Sequence, residues 1–141
     1  MIGRMCIKPV VTTSANTTIQ AAARLMRAKN VGSVVVAKNG KPEGLLTDRD
    51  IAVSVVAKGR NPATVRVGQV MRQKPVLIRE DQGILDATRI LGAKGVRRLP
   101  VVGKKGKLVG IIALDDVLML LGSEMRNIAD ALSRGLRRAR I

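Results

Sequence analysis

The sequence predicts an α/β protein of the α+β kind: two β-α-β-β-α units in tandem, related by a pseudo-twofold axis, followed by a basic amphipathic helix. Three observations predict it. The chain repeats itself, the apolar period alternates between helical and strand-like spacing, and turn residues fall at matching places in both halves. Residues 18–31 align with 83–96 at an offset of 65, with six identities in fourteen pairs. One added residue in the following turn moves the offset to 66. Gly40-Lys41 then meets Gly106-Lys107, Gly44 meets Gly110, and Asp50 meets Asp116. Upstream, Lys8-Pro9-Val10 meets Lys74-Pro75-Val76 and Met5 meets Met71, also at 66. The expected divisions are 1–62, 63–122 and a tail, 123–141.

The elements follow in order. A short strand comes after each proline, over 10–13 and 76–79. An amphipathic helix is expected over 19–29 and again over 84–94. In the first copy Ile19, Ala22, Ala23 and Met26 recur at helical spacing, while Arg24 and Arg27 point elsewhere. Thr17 or Thr18 supplies its N-cap. A buried strand is expected over 33–37 and 99–102. Asn39-Gly40 signals a tight turn between two apolar runs, with 103–106 as a looser counterpart. The returning strands cover 43–46 and 108–112. The closing helices cover 48–58 and 115–121, and Gly59-Arg60-Asn61-Pro62 ends the first of them. One unit of some sixty residues leaves a sheet face poorly covered. Two can cover each other, with a symmetric cleft between them.

Composition excludes several functions. The 141 residues contain no Phe, Tyr, Trp or His and a single cysteine, Cys6. The core must be aliphatic, and no aromatic platform can stack a base. Without histidine the commonest general base and metal ligand are missing. One cysteine builds neither a disulfide framework nor a cysteine-based zinc site, so no metal site is expected. Cys6 reads as a small apolar residue, with a disulfide between subunits as the alternative. Carboxylate pairs such as Asp48 with Asp50 sit at helix starts, where acids are ordinary, so no catalytic role is expected. No signal peptide or spanning segment is visible, and a cytoplasmic location follows by default. The net charge is +16. Residues 1–66 carry 11 basic against 3 acidic side chains, 67–125 carry 10 against 6, and 126–141 carry 5 against 1. Such a field attracts polyanions.

The sharpest local motif is Gly44-Leu45-Leu46-Thr47-Asp48-Arg49-Asp50. An apolar strand ends where a helix begins, and Thr47 and Asp50, three apart, both project near the helix start. Free N–H groups and the helix dipole favour an anion there. A threonine hydroxyl can bond a phosphate oxygen, Asp50 can accept from both ribose hydroxyls, and Arg49 can neutralise phosphate. The same Thr-x-x-Asp spacing also describes a helix cap.

These residues, with Val31-Gly32-Ser33-Val34-Val35-Val36, Val96-Arg97-Arg98-Leu99-Pro100-Val101-Val102, Gly110-Ile111-Ile112 and Asp116, resemble the cystathionine-β-synthase (CBS) domain family. The resemblance is to a tandem pair, covers the chain to about Leu121, and is specific because the motifs recur in order at one spacing. It implies a non-catalytic regulatory module binding AMP, ADP, ATP or, less readily, S-adenosylmethionine between the motifs. It also implies a disc-shaped homodimer and a regulated protein that the sequence does not name. Carried over by position, Thr47 contacts phosphate or ribose, Asp50 holds the ribose hydroxyls and Arg49 reaches phosphate. Arg97 and Arg98 reach the phosphate of the opposite site, and the strand start at Val11, Thr12 and Thr13 offers main-chain contacts to the adenine edge. Ala113 replaces Thr47 in the second copy while Asp116 remains, so one good site per chain is expected and Asp116 marks only a possible second.

In the tail, Ser123 is expected to cap a separate helix over 124–138. Met125, Ile128, Leu132 and Leu136 lie on one face, with Arg134, Arg137, Arg138 and Arg140 at the end. Packing across a dimer is one reading. The alternative function is a basic protein that binds nucleic acid or another polyanion through this arginine-rich helix.

Overall fold

The computed structural model describes residues 1–139, so Arg140 lies outside the described residues. In chain order the elements are β1 (Thr12–Thr13), α1 (Ile19–Lys29), β2 (Ser33–Lys38), β3 (Lys41–Thr47), α2 (Asp48–Ile51), β4 (Arg72–Gln73), β5 (Ile78–Arg79), α3 (Ile84–Lys94), β6 (Arg98–Val102), β7 (Leu108–Ala113) and α4 (Leu114–Ala139). Where the sequence carries strong local signals, the bounds match expectation. The Thr18 hydroxyl accepts from Ala21 N–H at 3.2 Å to start α1, and Asn30 ends it in the left-handed region at φ 53°. Gly95 ends α3 in the same way at φ 62°. Asn39 and Gly40 both take positive φ, as a two-residue hairpin turn of this hand requires.

Two closing helices depart from expectation. The helix expected over 48–58 is α-helical only through Ile51 and continues as a π-turn over Ala52–Val56. Three of its residues there, Val53, Val55 and Val56, are β-branched and crowd a regular turn. The widened turn buries Val55 completely and leaves Val53 and Val56 exposed. In the second copy no cap forms at Ser123. α4 runs unbroken through it, because the apolar spacing Leu118, Leu121, Met125, Ile128 continues across Gly122-Ser123.

The strands form two sheets, β1-β2-β3-β4 and β5-β6-β7, in which β1 with β2 and β5 with β6 are parallel and the other pairs antiparallel. Each sheet carries an aliphatic core. Ile19, Val34, Leu46 and Val55 centre the first; Ala87, Leu99, Ile112 and Val117 centre the second.

The entrance segments cross between these cores. Ile2 is fully buried in the second core, held by Ile2 N–H to Gln82 O at 2.7 Å and Gly3 N–H to Glu80 O at 3.0 Å. Val67 is fully buried in the first, held by Val67 N–H to Thr17 O at 2.8 Å and Gly68 N–H to Ala15 O at 2.9 Å. Beyond each, the chain lies along the hairpin: Arg72 pairs with Leu45, and Ile7 pairs with Ile111. These matches place Ile2 with Val67, Gly3 with Gly68 and Cys6 with Met71, an offset of 65. Met5 therefore does not meet Met71, whereas the offset is 66 again by the strands after Lys8-Pro9-Val10 and Lys74-Pro75-Val76, where Thr12 pairs with Val35 and Ile78 with Val101. Glycine is needed where the segment passes. A Cβ on Gly44 would meet the Met71 sulfur and come within 3.2 Å of Arg72 O, and one on Gly110 would meet the Cys6 sulfur and come within 3.3 Å of Ile7 O.

Ile2→Ala is therefore expected to lower stability by ~2–5 kcal/mol, the usual cost of emptying a buried aliphatic site, although chain ends ordinarily tolerate change. Leu85→Ala, at a residue 62% exposed, should stay within about 0.5 kcal/mol. Urea unfolding followed by circular dichroism measures both, and equal effects would contradict the crossing.

Candidate functional site

Two clefts open between the units. The larger has a volume of about 730 Å³, within the range of small-ligand sites. One wall is the end of β3 and the start of α2, with Leu45, Thr47, Asp48 and Arg49; the second is the crossing segment, 72–76; the third is the junction of α3 and β6, 95–98. The smaller cleft, about 200 Å³, is lined by the counterpart segment at Ile7, Pro9, Val10 and Val11, by 31–33, and by Ile111 and Ala113. Arg98 borders both.

At the larger cleft Thr47 and Asp50 form a reciprocal cap. The Thr47 N–H donates to Asp50 Oδ2 at 2.9 Å, and the Asp50 N–H donates to Thr47 Oγ1 at 3.2 Å. The other N–H groups of this helix start are also taken. Asp48 N–H donates to Gly32 O at 2.9 Å and Arg49 N–H to Asp48 Oδ1 at 2.8 Å. The expectation of free backbone N–H groups for an anion is thus corrected: the cap consumes them, and the charge that remains is on side chains. Thr47 is 8% exposed; its hydroxyl accepts in the cap and so keeps its own proton for an acceptor in the cleft.

Of the residues singled out in the sequence, Thr47, Arg49, Arg97 and Arg98 come together at the larger cleft. Asp50 stands behind the rim, 12% exposed, with its second oxygen 3.4 Å from Arg72 Nε. Val11 lines the smaller cleft instead, and Thr12 and Thr13 line neither. The reason is the crossing. The strand start beside Thr47 is the second one, so Lys74, Pro75 and Val76 line the larger cleft where 11–13 were expected. Asp116 accepts from Ala113 N–H at 3.2 Å, repeating half of the cap without a hydroxyl. Sequence reasoning missed Arg72 and Lys74. The only signal was that both units begin with a basic segment before a proline.

Arg98 reaches toward the first unit, its Nη2 3.5 Å from the point where a Cβ on Gly32 would stand; Asp48 Oδ2 is 3.0 Å from the same point. Among the described residues there are three ion pairs, Arg72–Asp50, Arg79–Asp81 and Arg89–Asp86, so Arg49, Arg97 and Arg98 face the cleft without an ionic partner. No group of three or more His, Cys, Asp or Glu among the described residues is placed to hold a metal ion, and no helix among them is long and apolar enough to cross a membrane.

The family model of the CBS domain matches residues 2–57 and 67–123, the two halves of the repeat. The chain belongs to the CBS-domain family. CBS pairs are commonly regulatory, ligand-binding modules. The CBS domain-containing protein YhcV of Bacillus subtilis is 43% identical over 108 residues, covering 77% of this chain and 76% of that protein. An uncharacterised protein of Methanopyrus kandleri is 35% identical over 120 residues, covering 84% of this chain, which spans only 61% of its length. Among solved structures, the CBS domain pair of protein MJ0100, in complex with 5′-methylthioadenosine and S-adenosylmethionine, has a TM-score of 0.78 at 22% identity, covering 88% of this chain and 97% of that one. A hexameric CBS-CP12 protein from bloom-forming cyanobacteria has a TM-score of 0.74 at 30% identity, covering 82% and 65%.

Because Asp50 closes the cap of the first CBS motif, Asp50→Ala is expected to cost about 0.5–2 kcal/mol of stability with no ligand present. Denaturant titration checks this, and an unchanged midpoint would show that the cap carries no load.

Proposed function

We propose that this CBS pair is a non-catalytic regulatory module that binds an adenine nucleotide, AMP, ADP or ATP, in the larger cleft. The observation that carries the reading is the cleft's charge. Arg49, Arg72, Lys74, Arg97 and Arg98 border it against only Asp48 and Asp115, an excess of three positive charges. Arg49, Arg97 and Arg98 have no carboxylate partner among the described residues, and such guanidinium groups suit phosphate oxygens, which they can meet in a fork. The same excess disfavours S-adenosylmethionine, whose sulfonium is positive.

The rest of the ligand fits what remains. The Thr47 hydroxyl donates to a phosphate or ribose oxygen, and the free face of Asp50, once Arg72 swings to phosphate, accepts from ribose hydroxyls. Leu45, Pro75, Val76 and Pro100 supply aliphatic faces for the base, and the main chain at 74–76 supplies its polar edge. At about 200 Å³ the second cleft is smaller than a typical ligand site, roughly 300 Å³ at least, which supports one good site per chain. Assembly as a homodimer and control of a separate protein complete the reading.

Titration calorimetry against AMP, ADP, ATP and S-adenosylmethionine tests it. The nucleotides should bind more tightly than the sulfonium compound. Arg98→Ala should weaken nucleotide binding about tenfold or more, since a charged hydrogen bond contributes ~1.5–3 kcal/mol. Tighter binding of S-adenosylmethionine, or no effect of Arg98→Ala, would contradict the reading.

A further inference from the structure

The second half of α4 leaves the body of the molecule. From Glu124 through Arg138 every residue is exposed, a stretch of roughly 22 Å at 1.5 Å per residue. An isolated helix of this length is marginal in water. Yet it carries a continuous apolar row. Met125, Ile128, Leu132 and Leu136 are each between 62% and 70% exposed, and their spacing of three and four continues that of Leu118 and Leu121 on the body. A seam of this period is what two paired helices bury.

We infer that α4 pairs antiparallel with α4 of a second copy of this chain, about a twofold axis near Ala131. Side-chain size favours that register. In it Ile128 packs against the second copy's Leu132, Met125 lies over its Gly135, and Leu136 lies over its Gly122. Large meets small at both ends of the seam. Parallel pairing would set Gly135 against Gly135 and leave a gap.

Charge favours the same direction. Glu124 stands near the start of the exposed stretch and Arg138 at its end. Antiparallel helices oppose their dipoles and bring Glu124 beside Arg138 twice, once from each copy. Parallel helices would set arginine beside arginine. The outer face mixes Arg126 and Arg134 with Asp130 and has no aromatic anchor, so it suits water better than a membrane surface. This pairing does not depend on the nucleotide reading, because neither cleft is lined by a residue beyond Asp115.

Two cysteine variants of the full chain, each with Cys6→Ser, read the geometry. Ala131→Cys should cross-link to a second copy under mild oxidation, since the axis passes beside it, and Met125→Cys should not. In sedimentation velocity, Glu124→Arg and Arg138→Glu should each shift association to at least several-fold higher concentration, and the double variant should restore it. Cross-linking at Met125→Cys but not Ala131→Cys would overturn the antiparallel register. So would association unaffected by Ile128→Glu, or a chain that stays monomeric and uses this row only to bind phosphatidylserine vesicles or duplex DNA.

Discussion

Ile2 and Val67 are each wholly buried, and each sits in the core that the other half of the chain builds. This exchange is the constraint on which the remaining geometry depends. Each residue removes an aliphatic side chain from water, worth ~1.5–3 kcal/mol, but its larger effect is to fix direction. A segment anchored at Val67 in the first core must pass over Gly44 and beside Leu45 before it enters the second sheet at Ile78. That path makes residues 72–76 a wall of the cleft. The two units therefore form no independent beads on a linker, and the cleft between them is held open by the same contacts that fold them.

The cleft's electrostatics follow from the cap at α2. Thr47 and Asp50 satisfy each other's backbone, and the next N–H groups find Gly32 and Asp48. Little of the helix terminus is left to attract an anion. The attraction comes instead from guanidinium groups that converge from three places in the sequence, at 49, 72 and 97–98, with few carboxylates to quench them. With 26 basic and 10 acidic residues in the chain, most cations cannot be paired, so the informative feature is their convergence in a concave place rather than their number.

Much of this was legible in the sequence, and particular residues show why. Thr18, Asn30, Asn39-Gly40 and Gly95 act through their own neighbours, so the bounds of α1 and α3 and the hairpin turn could be read locally. Thr47 and Arg49 were found in a local strand-to-helix motif, and Arg97 and Arg98 through the resemblance to the CBS family that the repeat made specific. What could not be read depends on contacts between the halves. β4 is two residues long and has no period to detect. The match of Met5 to Met71 was one residue out of step, because the change of offset falls inside the entrance segment, where burial of Ile2 and Val67 sets the true alignment. The crossing, which no local signal reveals, likewise puts 74–76 rather than 11–13 in the larger cleft with Thr47. The unbroken α4 was written in its apolar spacing, but a serine that resembles a cap obscured it.

The central claim, an adenine nucleotide held between the two CBS motifs, is tested most directly by photolabelling. A nucleotide carrying an azide on the adenine ring would be irradiated with the protein and the modified peptide mapped by mass spectrometry. Labelling confined to residues 73–79, and suppressed by unlabelled AMP, is the predicted result. Label on the exposed arginine-rich end of α4, or label that AMP does not displace, would contradict it.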